Sequence, residues 1–185
     1  MTGSLVFYTN PKSRGAIVRW MLEEVGVPYE TRVVGFGPEM KTATYRAINP
    51  MGKVPAVVRG DTVVTECAAI CAWLADAYPE AGLAPPNAER AAYYRWMFFA
   101  AGPLEAAVTN KALGVDVDAK QSAFVGYGSG LDPVLDALEG AVSAGPYIAG
   151  ERFSAADVYV GAQIGWGLMF GTIERRPARA ADAAA

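Results

Sequence analysis

The chain has 185 residues, of which 52% are hydrophobic and 19% charged, and its formal net charge is −3. It is long enough for one sizeable core or two small ones, and too apolar for an intrinsically disordered protein. A weakly negative chain without a lysine–arginine run argues against a nucleic-acid or anionic-membrane surface, and no apolar run approaches the ~20 residues of a membrane span.

Taken in order, the first 79 residues alternate in type. Leu5-Val6-Phe7-Tyr8 reads as a buried strand and Asn10-Pro11-Lys12 as a turn. A helix is expected from Ser13, with Ile17, Val18, Met21, Leu22 and Val25 on one face and Gly26 and Pro28 to stop it. Tyr29 to Val34 is a second strand, and a weaker helix runs to about Ala47. In Asn49-Pro50-Met51-Gly52-Lys53, Pro50 disfavours helix at Asn49 and Gly52 permits a left-handed turn. Val54 to Val58 then pairs with Thr62 to Val64 around Arg59-Gly60-Asp61. The Val54–Pro55 bond, at a turn-to-strand junction, is a candidate for cis, with the backbone groups of Val54 facing outward. A helix from Glu66 to about Tyr78 completes the order βαβαββα. Residues 80–86, rich in proline and glycine, form a linker.

Residues 87–185 read as all helical. Asn87 is placed to cap a long helix carrying Tyr93, Trp96, Met97, Phe98, Phe99 and Leu104. A second helix carries Leu131, Val134, Leu135, Leu138 and Val142. A third starts at Ser154-Ala155-Ala156-Asp157, a capping-box pattern with Asp in place of Glu. Residues 178–185 are low in complexity and carry almost nothing to bury, so disorder is expected there.

The chain contains no histidine, which removes the commonest general base and every Ser–His or Cys–His mechanism. Cys67 and Cys71 share a helix face but have no histidine partner, a poor zinc site, and no metal is expected. The polar Met1-Thr2-Gly3-Ser4 start lacks the basic and apolar regions of a signal peptide, and a cytoplasmic location is expected. Glu66 and Cys67 open a helix, where bare N–H groups and the dipole favour a bound carboxylate. A helix start also lowers a thiol's pKa, although a lone cysteine is more often a small buried hydrophobe. Ser13 is a helix cap whose hydroxyl can also donate to an anion. Asn10 to Ser13 stands where a redox thioredoxin-like fold carries Cys-x-x-Cys, and the absence of cysteines there argues against dithiol exchange. Lys53 reads as a solvated cation, Asp157 as a structural cap, and Tyr93, Trp96 and Phe99 as core more readily than ligand pocket. Together the Lys53–Pro55 loop and the Glu66 helix start suit a short peptide-like ligand with a carboxylate.

Four stretches in order resemble the cytosolic glutathione transferases: Ser13-Arg14 with Val18 to Glu30, Asn49 to Ala56, Glu66 to Ile70, and Gly150 to Asp157. The resemblance, closest to bacterial-type members, covers nearly the whole chain. It implies a thioredoxin-like N-terminal domain over residues 1–79, an all-helical domain over 87–185, and a homodimer. It implies glutathione as co-substrate, conjugated through its thiolate to a small hydrophobic electrophile. By the same resemblance Val54 and Pro55 bind the cysteinyl backbone of glutathione, Glu66 and Cys67 its γ-glutamyl end, and Lys53 lies near its glycyl carboxylate. Ser13 is the implied thiolate-stabilising residue, with Asn10 and Lys12 as alternatives within a residue or so of alignment. Cys67 stands where the family commonly has serine, and the chain stops soon after Ile173 to Pro177, where family members normally continue through further helix. A non-catalytic binding or dimerisation module, and a glutathione-dependent peroxidase or reductase, are the alternative readings.

Overall fold

The structure, a computed structural model, describes residues 3–176. The expectation for residues 178–185 lies outside the described residues. Four strands, β1 (Leu5–Thr9), β2 (Tyr29–Val33), β3 (Ala56–Arg59) and β4 (Thr62–Thr65), form one mixed sheet in the order β2-β1-β3-β4. β1 and β2 are parallel, joined by helix α1 (Gly15–Val25), while β3 runs antiparallel to both β1 and β4. A two-residue turn at Gly60-Asp61 closes the β3–β4 hairpin, with Gly60 at φ 58°.

Alternation sets the layers. Leu5, Phe7 and Thr9 of β1 point into the core, and α1 covers them with Ile17, Val18, Met21 and Leu22, all at most 1% exposed. Helix α3 (Cys67–Ala77) packs beside α1 through Ile70, Cys71 and Leu74. Gly26, in the left-handed conformation, ends α1 by donating its N–H to the Leu22 carbonyl. The stretch expected as one weak helix is a single turn at Glu39–Lys41 followed by a short helix α2 (Ala43–Arg46), whose N-cap Thr42 accepts from the Tyr45 N–H.

All remaining elements among the described residues are helical: α4 (Arg90–Phe99), α5 (Glu105–Leu113), α6 (Leu131–Ser143) and α7 (Ala155–Phe170). Asn87 does not cap the first of these. It opens a separate single turn, Asn87–Glu89, without a side-chain cap bond, and α4 starts at Arg90. Arg90 instead ties the linker down, through Nε to the Pro85 carbonyl (2.8 Å) and Nη2 to Asp76 (2.7 Å). Between α4 and α5 the chain widens into a π-helical turn, Ala100–Leu104, that houses Pro103. A proline inside a helix removes one N–H and crowds the preceding turn, and the wider winding accommodates both. Helix α7 is apolar nearly all round and packs against α1, α3 and α4, so it sits at the centre and joins the sheet half to the helical half. No helix among the described residues is long and apolar enough to cross a membrane.

The start of α7 is held as its spelling predicts. Asp157 Oδ2 accepts from both the N–H and the hydroxyl of Ser154 (2.9 Å each), and Oδ1 accepts from the Ile148 N–H (2.8 Å). Ser154 and Ile148 are buried, so these donors have no access to water as an alternative partner.

Candidate functional site

The loop before β3 is built by its own polar groups. Asn49, 3% exposed, accepts from the Met51 N–H and donates to the Lys53 carbonyl (3.0 and 2.8 Å). The Tyr45 hydroxyl donates to the same carbonyl (2.8 Å), and Lys41 Nζ binds the carbonyls of Met51 and Gly52. Gly52, at φ 58°, lies so close to α2's approach that an added Cβ would meet the Met40 carbonyl oxygen at 2.5 Å. Gly52→Ala is therefore expected to cost about 1–3 kcal/mol and to displace Lys53 and Val54. Thermal melting of the variant measures the first effect and ligand titration the second.

After this loop the Val54–Pro55 bond is cis. β3 begins only at Ala56, so the backbone N–H and C=O of Val54 lie outside the sheet ladder and have no partner among the described residues. Across from Val54, β4 ends at Thr65 and Glu66 turns the chain into α3 with φ 67°, ψ 124°. Glu66 is the one non-glycine residue with positive φ among those described. A side chain held in such a conformation costs about 1–3 kcal/mol and marks a place where backbone geometry serves something other than stability.

These elements form one cleft of about 170 Å³. Lys53, Val54, Pro55, Glu66 and Cys67 line it from the sheet half, together with Arg14 from the start of α1. Ala101, Glu105 and Tyr159 close it from the helical half. Arg14 Nη2 bridges to Glu105 Oε1 at 3.0 Å. Glu105 Oε2 accepts from Gln163 Nε2 (3.2 Å) and at longer range from the Tyr159 hydroxyl (3.4 Å). Gln163 also donates to that hydroxyl (3.2 Å). Burial pushes the Tyr159 phenol above its ordinary range, so it stays protonated at neutral pH. A second cavity, of about 250 Å³, adjoins at Arg14 and is lined chiefly by Val108, Leu113, Trp166 and Phe170, the last two edge to face at 5.9 Å. A larger cavity of about 460 Å³ lies between α5 and α6, but its Asn110 and Tyr127 bond each other (2.6 Å) and it shares no lining residue with the Val54 cleft.

The residues singled out by sequence divide sharply here. Lys53, Val54, Pro55, Glu66 and Cys67 come together in the cleft. Ser13 does not line it and is not the N-cap, which is Arg14: its hydroxyl donates to the Asn10 carbonyl (2.7 Å) and accepts from the Gly15 N–H (3.0 Å), one position ahead of the cap. Asn10 donates to the Val34 carbonyl and accepts from the Lys12 N–H (3.0 Å each), which leaves Lys12 on the surface. Tyr93 and Trp96 are core residues, 1% and 5% exposed, and Phe99 packs edge to face on Trp96 at 5.3 Å, so none of the three lines this cleft. Arg14, Glu105 and Tyr159 are additions. For Glu105 the one local signal is Gly102-Pro103 inside an otherwise helical run, which announces a deformation just before it.

The helix-start expectation for Cys67 is corrected. Burial pushes its thiol up to about 12, against a smaller lowering by Arg14, and the sulfur points at the Arg14 carbonyl (3.6 Å). The folded thiol holds its proton more tightly than the unfolded one at 9.0, so its contribution to stability is present below pH 9 and is lost as pH rises toward 12. Cys71 is fully buried behind it and is raised further by burial. Native protein at pH 8 is therefore expected to resist iodoacetamide at both thiols, with labelling, read by mass spectrometry, only after unfolding.

Residues 15–77 match the family model described as "Glutathione S-transferase, N-terminal domain". The chain is 31% identical over 156 residues to glutathione S-transferase F10 of Arabidopsis thaliana, covering 79% of this chain and 72% of that protein. Among solved structures, a glutathione transferase homologue from Sulfitobacter with bound glutathione superposes with a TM-score of 0.69 at 30% identity, covering 92% of this chain and 85% of that one. The theta-class glutathione S-transferase from Xanthomonas axonopodis pv. citri, also with glutathione bound, gives a TM-score of 0.71 at 29% identity, with 96% and 88% covered.

Proposed function

Because this chain belongs to the glutathione S-transferase family, we propose that its cleft binds glutathione and that the protein transfers the glutathione thiolate to a small apolar electrophile. The observation that carries this reading is the unpartnered backbone of Val54, which lines the cleft beside the helix start at Glu66 and Cys67. An extended cysteinyl unit pairs with a backbone presented in this way, as a peptide does with a strand edge. In the proposal the γ-glutamyl carboxylate meets the first N–H groups of α3, its ammonium meets the Glu66 carboxylate, and Lys53 faces the glycyl carboxylate. The adjoining cavity with Trp166 and Phe170 receives the electrophile.

The sheet half, residues 1–79, is then the glutathione-binding domain and residues 87–185 the electrophile-binding one, in a cytoplasmic protein. A homodimer is part of the proposal. Phe98 on α4, 71% exposed and beside the half-exposed Tyr94, offers apolar surface for a second copy. Retention on immobilised glutathione together with turnover of a chlorodinitrobenzene supports the transferase reading. Retention without turnover favours the non-catalytic binding module, and turnover of a hydroperoxide alone favours the peroxidase.

A further inference from the structure

The two cavities meet at a single side chain. Among the described residues, Arg14 alone lines both the glutathione cleft and the apolar cavity. The place where they join is where a thiol held by Val54 would face an electrophile lying against Trp166. Lys53 faces the glycyl carboxylate in this reading, and the other side-chain donors near this point are engaged. Ser13 has one hydroxyl proton and gives it to the Asn10 carbonyl. The first N–H groups of α1 are also turned inward: Gly15 donates to Ser13 Oγ, Ala16 to the Ser13 carbonyl (3.1 Å) and Ile17 to the Arg14 carbonyl (3.0 Å). The Cys67 thiol points at the Arg14 carbonyl. Tyr159 shares its hydroxyl between Glu105 and Gln163.

Arg14 differs from all of these. A guanidinium carries five N–H donors and a fixed charge. Its one recorded ion pair is the bridge to Glu105, and 44% of its side chain remains exposed. Glu105 is itself held by Gln163 and Tyr159, so the ion pair fixes the direction of the guanidinium and leaves other N–H groups free for a ligand. We propose that Arg14, and not Ser13, is the catalytic residue that stabilises the glutathione thiolate, with Glu105 as the residue that positions it. The proposal rests on the glutathione-binding reading of the cleft.

The chemistry balances without a general base. On binding, the thiol of glutathione loses its proton to solvent, and the thiolate remains against the guanidinium. The sulfur then forms a bond to the ring carbon of an electron-poor aryl halide, and the carbon–halogen bond breaks with its electron pair, releasing halide. Arg14 holds charge throughout and transfers no proton, in keeping with a chain that has no histidine.

The test separates a charge role from a merely structural one, because the two partners of the ion pair move the titration in opposite directions. The pKa of bound glutathione is read from the ultraviolet absorbance of the thiolate in the wild type, Arg14→Gln, Glu105→Gln and Ser13→Ala. A cation within a few ångströms lowers such a pKa by about 1–3 pH units, so Arg14→Gln is expected to raise it by about one pH unit or more. Glu105→Gln, which removes the opposing charge but keeps an oxygen acceptor for the guanidinium, is expected to lower it. Proton release on binding, from calorimetry in buffers of different ionisation enthalpy, falls in Arg14→Gln by the same account. If Ser13→Ala removes the lowered pKa while Arg14→Gln retains it, the assignment is overturned. Glutathione binding with an unshifted pKa in the wild type overturns it as well, yet leaves the binding reading intact. Absence of binding in the wild type sinks both.

Discussion

Asp157→Ala is expected to lower stability by about 3–4 kcal/mol and the melting temperature by roughly 10 °C. The carboxylate takes bonds from the Ser154 N–H, the Ser154 hydroxyl and the Ile148 N–H at 2.8–2.9 Å. A hydrogen bond to a charged group contributes about 1.5–3 kcal/mol, and truncation leaves buried donors unpaired, so the loss exceeds that of an ordinary exposed cap. The site matters because α7 packs against α1 and α3 of the sheet half, and it carries Tyr159 and Gln163. Asp157→Asn keeps one acceptor and is expected to fall between the two. Differential scanning calorimetry measures all three proteins. The folded variants should bind glutathione with wild-type affinity, and lost affinity at an unchanged melting temperature would move Asp157 from the frame of the protein into its site.

Glu66→Ala is expected to weaken glutathione binding about tenfold to a hundredfold, the effect of removing a charged hydrogen bond to the ligand's ammonium. Its effect on folding is expected to be small, because Glu66 is exposed. Glu66→Gly sharpens the distinction. The residue sits at φ 67°, a conformation that costs a side chain about 1–3 kcal/mol and glycine much less. The glycine variant should therefore melt no lower than the wild type while losing glutathione to the same extent as the alanine variant. A glycine variant that melts well below the wild type would show that the Glu66 side chain supports the fold, and the strain argument would fail.

What could be read from sequence was local. Asn49 to Pro55 carries its own turn chemistry, since Pro50, Gly52 and Pro55 restrict the backbone wherever the chain goes, and the structure has the left-handed Gly52 and the cis bond there. Ser154 and Asp157 lie three positions apart and meet across one helical turn, so spacing alone indicates the cap. The order of strands and helices followed from hydrophobic periodicity. Asn87 shows the limit of the same reasoning: a good capping residue is unused, because Pro85 and Pro86 set the path and Arg90 fastens it.

Contacts between distant segments could not be read in this way. Arg14 and Glu105 are an ordinary pair of charged residues in sequence, and only the packing of α1 against the helical half brings them to 3.0 Å. The family resemblance implies Ser13 as the thiolate-stabilising residue, yet its hydroxyl donates to the Asn10 carbonyl, a contact made by the turn. The Cys67 thiol follows the same logic. Its position at a helix start suggests a lowered pKa, but burial raises it and outweighs the lowering by Arg14. Tyr93 and Trp96 share a helical face with nothing to distinguish core from pocket until α7 lies against them.

The most direct test of the whole account is an isothermal titration of the full chain with glutathione at neutral pH, repeated with the dipeptide cysteinylglycine, which lacks the γ-glutamyl group. The account predicts saturable binding of glutathione at one site per chain, and at least tenfold weaker binding of the dipeptide, since the Glu66 and α3 contacts have nothing to hold. Equal affinity for the two ligands, or no saturable heat with glutathione at millimolar concentration, would contradict it.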